Sequence, residues 1–164
     1  SNTLNHTLFV KGGDVEVNGC TIAQFYPFDG YRATAIGIIP PLLNFKVINS
    51  IVTGYHDDEV VWTSPKNDEV CNFSFDHCVL RTEKMNTEDS LKFTNTIYEN
   101  LKDTTQFGEK HFRLFDTDNL KYDFRLRKES AAIGVADTAT SLPTDRRGVL
   151  RDDKPDAGCY EFDE

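Results

Sequence analysis

Four segments of this chain follow one six-residue pattern: Val15-Glu16-Val17-Asn18-Gly19-Cys20, Phe45-Lys46-Val47-Ile48-Asn49-Ser50, Phe73-Ser74-Phe75-Asp76-His77-Cys78 and Leu91-Lys92-Phe93-Thr94-Asn95-Thr96. Each runs apolar, polar, apolar, any residue, then Gly, Asn or His, then a small residue. The alternation describes a half-buried strand. Gly, Asn and His are the residues that most readily accept a left-handed backbone. A strand that turns repeatedly at a single left-handed residue describes a coil of short strands.

The turning position recurs at Gly19, Asn49, His77 and Asn95, in steps of 30, 28 and 18 residues. Ser1-Asn2-Thr3-Leu4 fits the tail of a preceding copy. Unequal steps argue against repeats of constant length such as ankyrin. They suit an all-β solenoid, a right-handed parallel β-helix, in which turns vary while strands stay in register. A β-sandwich with chance hairpins is the alternative. In the coil, Val15, Phe45, Phe73 and Leu91 stack in one inward row, and Val17, Val47, Phe75 and Phe93 in the next. Glu16, Lys46, Ser74 and Lys92 face water. After the turn, Ile22, Val52, Leu80 and Tyr98 form a third apolar row. The row Thr21, Ile51, Val79, Ile97 is mostly apolar as well, and alternation alone does not assign its face. Lys84 to Asn100 has some helical character, but Phe93, Thr94, Thr96, Ile97 and Tyr98 prefer strands.

The chain has the length of one domain. Its 12 phenylalanines suit inward stacks, and its formal charge of −9 argues against a nucleic-acid backbone as partner. No stretch approaches the apolar length of a membrane span. The chain reads as beginning inside a rung, with N-terminal rungs missing. Unpaired strand edges recruit partners, so a homodimer through the N-terminal end, around Val15, Val17 and Ile22, is expected unless residues 1–9 fold over that end. Cys20 and Cys78 fall in one column two rungs apart, about 9.6 Å on strand spacing. A disulfide needs Cα atoms within roughly 7 Å. The four cysteines are therefore expected to be reduced, as small buried hydrophobes.

The last fifty or so residues change character. Tyr122-Asp123-Phe124-Arg125-Leu126 leads to Ser130-Ala131-Ala132-Ile133-Gly134. Asp145-Arg146-Arg147-Gly148-Val149-Leu150-Arg151 and Pro155-Asp156-Ala157-Gly158-Cys159-Tyr160-Glu161-Phe162 follow. This resembles the ending of secreted right-handed parallel β-helix proteins of Gram-negative bacteria, of the pectate-lyase-like superfamily. There, "DFRL…SPAIDAG" precedes "D-x-x-G-x-x-R" and "PDIGAYE". Asn49-Ser50-Ile51 and Gly19-Cys20-Thr21-Ile22 resemble turns of the same proteins. Gly134 stands where the usual Asp would be, and Ala136 where the usual Gly would be. The resemblance implies an exported, glycan-associated protein: secreted, periplasmic or outer-membrane-associated. Residues 1–111 would form rungs, and 112–164 the last rung with a C-terminal cap. The residues themselves read the same way: Asp145, Arg151, Asp156 and Glu161 are placed to form ion pairs closing the last rung, with Tyr160 buried beside them. Leu126 and Ile133 are also expected to be buried there. A calcium site built from Asp145, Asp152, Asp153 and Asp156 is the sharper alternative to a solvated acidic turn. No other cofactor is expected.

No motif for a nucleophile elbow, a zinc protease or a phosphate loop is present. His56-Asp57-Asp58-Glu59 reads as a solvated acidic loop. Arg81 and Lys84 follow the third turn, where lyases of this fold carry a basic residue. Phe25-Tyr26-Pro27-Phe28-Asp29-Gly30-Tyr31-Arg32 is the segment most suggestive of binding. Phe25, Tyr26, Phe28 and Tyr31 offer rings for sugar faces, and Asp29 and Arg32 offer groups for hydroxyls. The plainer expectation is that these rings cover the side of the coil. The function expected is polysaccharide binding at a bacterial surface without catalysis. The alternative is a polysaccharide lyase or glycoside hydrolase whose active site lies on missing rungs.

Overall fold

A computed structural model describes residues 3–84 and 88–163. Ser1 and Asn2, part of the expected N-terminal edge, lie outside the described residues. The strands are β1 (Leu8–Lys11), β2 (Asp14–Asn18), β3 (Thr21–Gln24), β4 (Ile36–Ile39), β5 (Leu42–Ile48), β6 (Ile51–Gly54) and β7 (Val60–Trp62). They continue with β8 (Cys71–Asp76), β9 (Val79–Leu80), β10 (Phe93–Thr94), β11 (Ile97–Tyr98), β12 (Phe112–Asp116) and β13 (Lys121–Leu126). The protein is all-β. Three sheets are parallel, with orders β1-β4-β7, β2-β5-β8-β10 and β3-β6-β9-β11, and β12 and β13 form an antiparallel pair.

The chain visits the three parallel sheets in rotation. The second sheet keeps the expected register, Val17 beside Val47, Val47 beside Phe75, and Phe75 beside Phe93. Phe45, Val47 and Phe75 are fully buried, and the Phe75 and Phe93 rings stack 5.2 Å apart. Ile22, Val52, Leu80 and Tyr98 also fall in line. Burying each such side chain contributes about 1.5–3 kcal/mol, so the columns dominate the stability of the stack.

One member of the first row departs from its column. Leu91 is 81% exposed, because residues Glu88–Lys92 form a 3-10 turn and the strand begins only at Phe93. The two longer steps each include a strand of the first sheet, Ile36–Ile39 or Val60–Trp62, and the last step has none among the described residues.

Every turning residue has a positive φ: Gly19 60°, Asn49 53°, His77 49° and Asn95 48°. The small residue that follows each has a second role. Its hydroxyl or thiol donates to the carbonyl two residues back. Cys20 Sγ reaches Asn18 O at 3.4 Å, Ser50 Oγ reaches Ile48 O at 2.7 Å, Cys78 Sγ reaches Asp76 O at 3.2 Å and Thr96 Oγ1 reaches Thr94 O at 2.9 Å. Position six therefore selects a compact donor, which at Ile48, Asp76 and Thr94 joins the N–H of the preceding pass's turning residue on the same carbonyl. All four cysteines are unpaired, but against expectation only Cys78 is buried; Cys20, Cys71 and Cys159 are half-buried.

The C-terminal segment does not sit only at the end of the stack. It runs along the outer face of the third sheet. Ile51 and Val79, from the row whose face alternation left open, pack against Leu126, Ala132 and Ala157. Gly158 lies so close that an added Cβ would be 2.9 Å from both Ile51 Cδ1 and Thr21 Oγ1. Ile97, last in that row, is 37% exposed. A second apolar seam joins Ala23 and Phe25 to Phe112. Leu126 is buried as expected, but Ile133 is 37% exposed and Tyr160 only half-buried.

Candidate functional site

Along the outer face of the third sheet, the ladder continues past the strand ends. Arg81 N–H donates to Val52 O and Glu99 N–H to Leu80 O, both at 2.9 Å. This sets Arg81 and Glu99 side by side on neighbouring passes. Side-chain alternation puts them on the same outward face as Ile51 and Val79. Here the C-terminal segment brings in His111 and Ser130.

The four side chains form one hydrogen-bonded line. Arg81 Nε donates to Glu99 Oε2 at 2.6 Å, Glu99 Oε1 lies 3.0 Å from His111 Nε2, and His111 Nδ1 lies 2.8 Å from Ser130 Oγ. Burial raises the Glu99 pKa, but the His111 hydrogen bond and the Arg81 charge outweigh burial and hold it below the usual carboxylate range. The ionised carboxylate only accepts, so Nε2 carries a proton toward Glu99, and Nδ1 is hydrogen-bonded to the Ser130 hydroxyl. A Ser–His–Glu order resembles a nucleophilic triad in connectivity. Ser130 is only 6% exposed and also accepts from Ala132 N–H. The line is a buried brace.

At its Arg81 end the brace meets a cleft of about 240 Å³. Phe25, Tyr55 and Phe107 supply aromatic walls, and Asp103, Glu109 and Lys110 are among its polar lining residues. Tyr55 follows β6 directly and meets Phe25 edge-on at 5.0 Å. The Arg32 guanidinium lies 4.8 Å from the Tyr55 ring centroid. Burial raises the Tyr55 pKa, with the Glu109 charge adding to the effect.

The Phe25–Arg32 segment divides. Phe25 is 2% exposed and belongs to the apolar seam, so most of its ring is packed between the third sheet and the C-terminal segment, although it also lines the cleft. Arg32 reaches the cleft through Tyr55. Tyr26, Phe28, Asp29 and Tyr31 do not line it. Tyr26 and Phe28 pack on each other at 5.5 Å, Asp29 Oδ1 accepts from Tyr31 N–H, and Tyr31 is 94% exposed.

The acidic loop is not uniformly solvated. Asp57 is exposed, but Glu59 is fully buried, its two oxygens accepting N–H groups of His56 and Ala35 at 2.7 and 2.6 Å. Burial nevertheless pushes it up to about 7. Gly54 leaves the room it needs: a Cβ there would lie 2.0 Å from Glu59 Oε1. Arg81 is bound to Glu99, and the Lys84 ammonium stands 5.9 Å from the Tyr98 ring centroid.

The expected cap residues do form a knot, with different partners. Arg151 pairs with Glu161 at 2.8 Å and donates to the carbonyls of Asp156 and Gly158. Asp145 accepts N–H groups of Arg147, Val149 and Glu161, and its ion pair is with Arg147 at 3.5 Å. Asp156 accepts from Gly134 and Phe162 N–H rather than from a cation. Burial pushes Asp156 up to about 6, and the Glu161 and Asp152 charges add to this. Tyr160 lies under the Arg147 guanidinium, 5.9 Å from ring centroid to carbon. The Asp145 and Asp156 carboxylates proposed for calcium are thus turned onto backbone donors. Among the described residues, no group of three or more His, Cys, Asp or Glu side chains is placed to hold a metal ion. No described helix is long and apolar enough to cross a membrane.

No protein-family model, curated protein or solved structure matches this chain.

Glu99 was within reach of the repeat pattern, since Ala23, Thr53, Arg81 and Glu99 each follow the third apolar row by one residue. Nothing in the local pattern marks His111 or Ser130, which reach the line only when the C-terminal segment docks.

Proposed function

We propose that the three parallel sheets are the faces of a right-handed parallel β-helix, each pass one rung, and that the protein binds a polysaccharide in the cleft beside Tyr55. The cleft carries this reading. It has aromatic walls at Tyr55 and Phe107, and a rim of donors and acceptors that includes Asp103, Glu109 and Lys110. Aromatic faces stack on the apolar side of a sugar ring, while convergent polar groups fix its hydroxyls. Binding fits this flank better than turnover, because the hydroxyl in the buried brace lies behind His111 and away from solvent. The resemblance of the C-terminal sequence to exported β-helix proteins supports a secreted, periplasmic or outer-membrane-associated setting.

A glycan array followed by titration calorimetry tests the reading. Binding to at least one polysaccharide is expected, weakened about tenfold in Tyr55→Ala, the scale of losing one aromatic contact. No binding to any glycan, or equal binding by the variant, overturns it.

A further inference from the structure

We infer that Arg81 is the specificity-determining residue of this cleft and takes an anionic oxygen group of the ligand, a carboxylate or a sulfate ester. The inference rests on the glycan reading of the cleft. A guanidinium carries five N–H donors and no acceptor. Within the protein Arg81 uses only Nε–H, on Glu99; its Nη groups make no hydrogen bond among the described residues. Yet the side chain is only 16% exposed and lines the cleft. The Nη atoms are not among the buried atoms left without a partner, so this edge opens on the cleft and is accessible to a group that enters.

The surroundings fix that edge. Glu99 holds the Nε side, and His111 and Ser130 hold Glu99. On the far side Gly108, at φ 62°, leaves the space: a Cβ there would lie 2.6 Å from Arg81 Nη2. A rigid fork of donors matches two acceptor oxygens in one plane. Sugar hydroxyls, which also donate, match it less well.

Net charge does not make the choice. Lys110 is paired with Glu109 at 3.1 Å, and Asp103 Oδ1 is taken by the N–H and hydroxyl of Thr105 at 2.8 and 2.6 Å. Arg81 is itself balanced by Glu99. Directed donors, rather than a basic field, discriminate between ligands here.

The test is calorimetry on the full chain with three oligosaccharides of matched length: a uronate, a sulfated one and a neutral one. Melting is also followed with sodium sulfate or glucuronate alone. At least one acidic oligosaccharide should bind about tenfold more tightly than the neutral one, and the uronate and sulfated arms tell which group is read. Arg81→Lys keeps a charge for Glu99 but loses the fork. It should bind acidic and neutral oligosaccharides alike. Equal affinities in the unaltered protein overturn the role of Arg81 and leave glycan binding intact; this comparison needs no variant to fold. Stabilisation by sulfate or glucuronate that depends on Arg81, with no oligosaccharide bound, supports the anion site and overturns the glycan reading. Binding of nothing overturns both.

Discussion

The main-chain N–H of Gly158 donates to the carbonyl of Asn49 at 2.8 Å. It joins the C-terminal segment to a left-handed turn in the middle of the stack. The Asn49 side chain extends the joint: its Nδ2 donates to Asn18 Oδ1 and Thr140 Oγ1, both at 3.1 Å, and its Oδ1 accepts from Asp137 N–H at 2.8 Å. One residue therefore turns the strand, bridges to the preceding pass and anchors the flanking segment.

Asn49→Gly keeps the turn but removes the side-chain bonds. It should cost about 1–3 kcal/mol, the price of leaving buried polar groups unmatched. His77→Gly should change stability far less, because the polar contact of the His77 ring among the described residues is with the half-exposed Asp76 carboxylate, at 3.2 Å. Urea denaturation of both variants checks the contrast. Equal losses would mean that turn geometry, not docking, sets the importance of these positions.

Ser50 is fully buried, donates to Ile48 O and accepts from Cys20 N–H at 3.0 Å. Ser50→Ala orphans the Cys20 N–H, while Ile48 O keeps the Gly19 N–H, and should destabilise by about 1–3 kcal/mol. Ser50→Cys should be milder, since the same column carries Cys20 and Cys78. Thermal and urea melts of the pair decide it, and a harmless alanine would remove the donor role from the repeat pattern.

Intact-mass measurement without reductant should give four free thiols. In the native protein Cys78 should react slowest with a thiol reagent, since burial pushes it up to about 12 and its side chain is fully enclosed. Unfolding should bring its rate to that of the others. A mass deficit of two or four protons would contradict the structure.

Stability should fall as pH rises through the weakly acidic range. Glu59 shifts from 4.5 to about 7 and Asp156 from 3.8 to about 6 on folding. Both carboxyls therefore hold protons more tightly folded than unfolded. Their contribution is fully present below their unfolded pKa values and is lost as pH rises toward 6 and 7. Glu99, shifted downward, opposes this at lower pH. Glu59→Gln removes the largest part, and the decline between pH 5 and 7 should flatten by about 1–3 kcal/mol. Equilibrium unfolding across that range reads it, and a slope unaltered by the substitution would place the Glu59 proton elsewhere.

Arg151→Ala should cost about 3–5 kcal/mol, because it strands the buried Glu161 carboxylate and two carbonyls. Calorimetric melting tests this. A loss below about 1 kcal/mol, the value of a surface pair, would show that the knot is held by Asp145 and Asp156 alone.

The repeat pattern was enough to place Val17, Val47, Phe75 and Phe93 in one column and to mark Gly19, Asn49, His77 and Asn95 as turns. Both depend on short-range chemistry: side-chain alternation and the steric cost of a left-handed backbone. It missed the first sheet, although Ile36-Gly37-Ile38-Ile39 and Val60-Val61-Trp62 are apolar runs at matching places, because their spacing from the turns varies. It carried Leu91 into the core by analogy, where a local 3-10 turn overrides the alternation.

What the sequence determined, then, was the parallel stacking and its register, which local periodicity and turn residues encode. What only the tertiary structure decided was the fate of the outward face of the third sheet. Ile51 and Val79 are apolar because Leu126, Ala132 and Ala157 cover them, and Arg81 faces a cleft because His111, Ser130 and Gly108 arrive with the same covering segment. Those contacts join residues far apart in the chain. No spacing rule specifies them, because they arise from which surfaces remain to be buried once the strands have stacked.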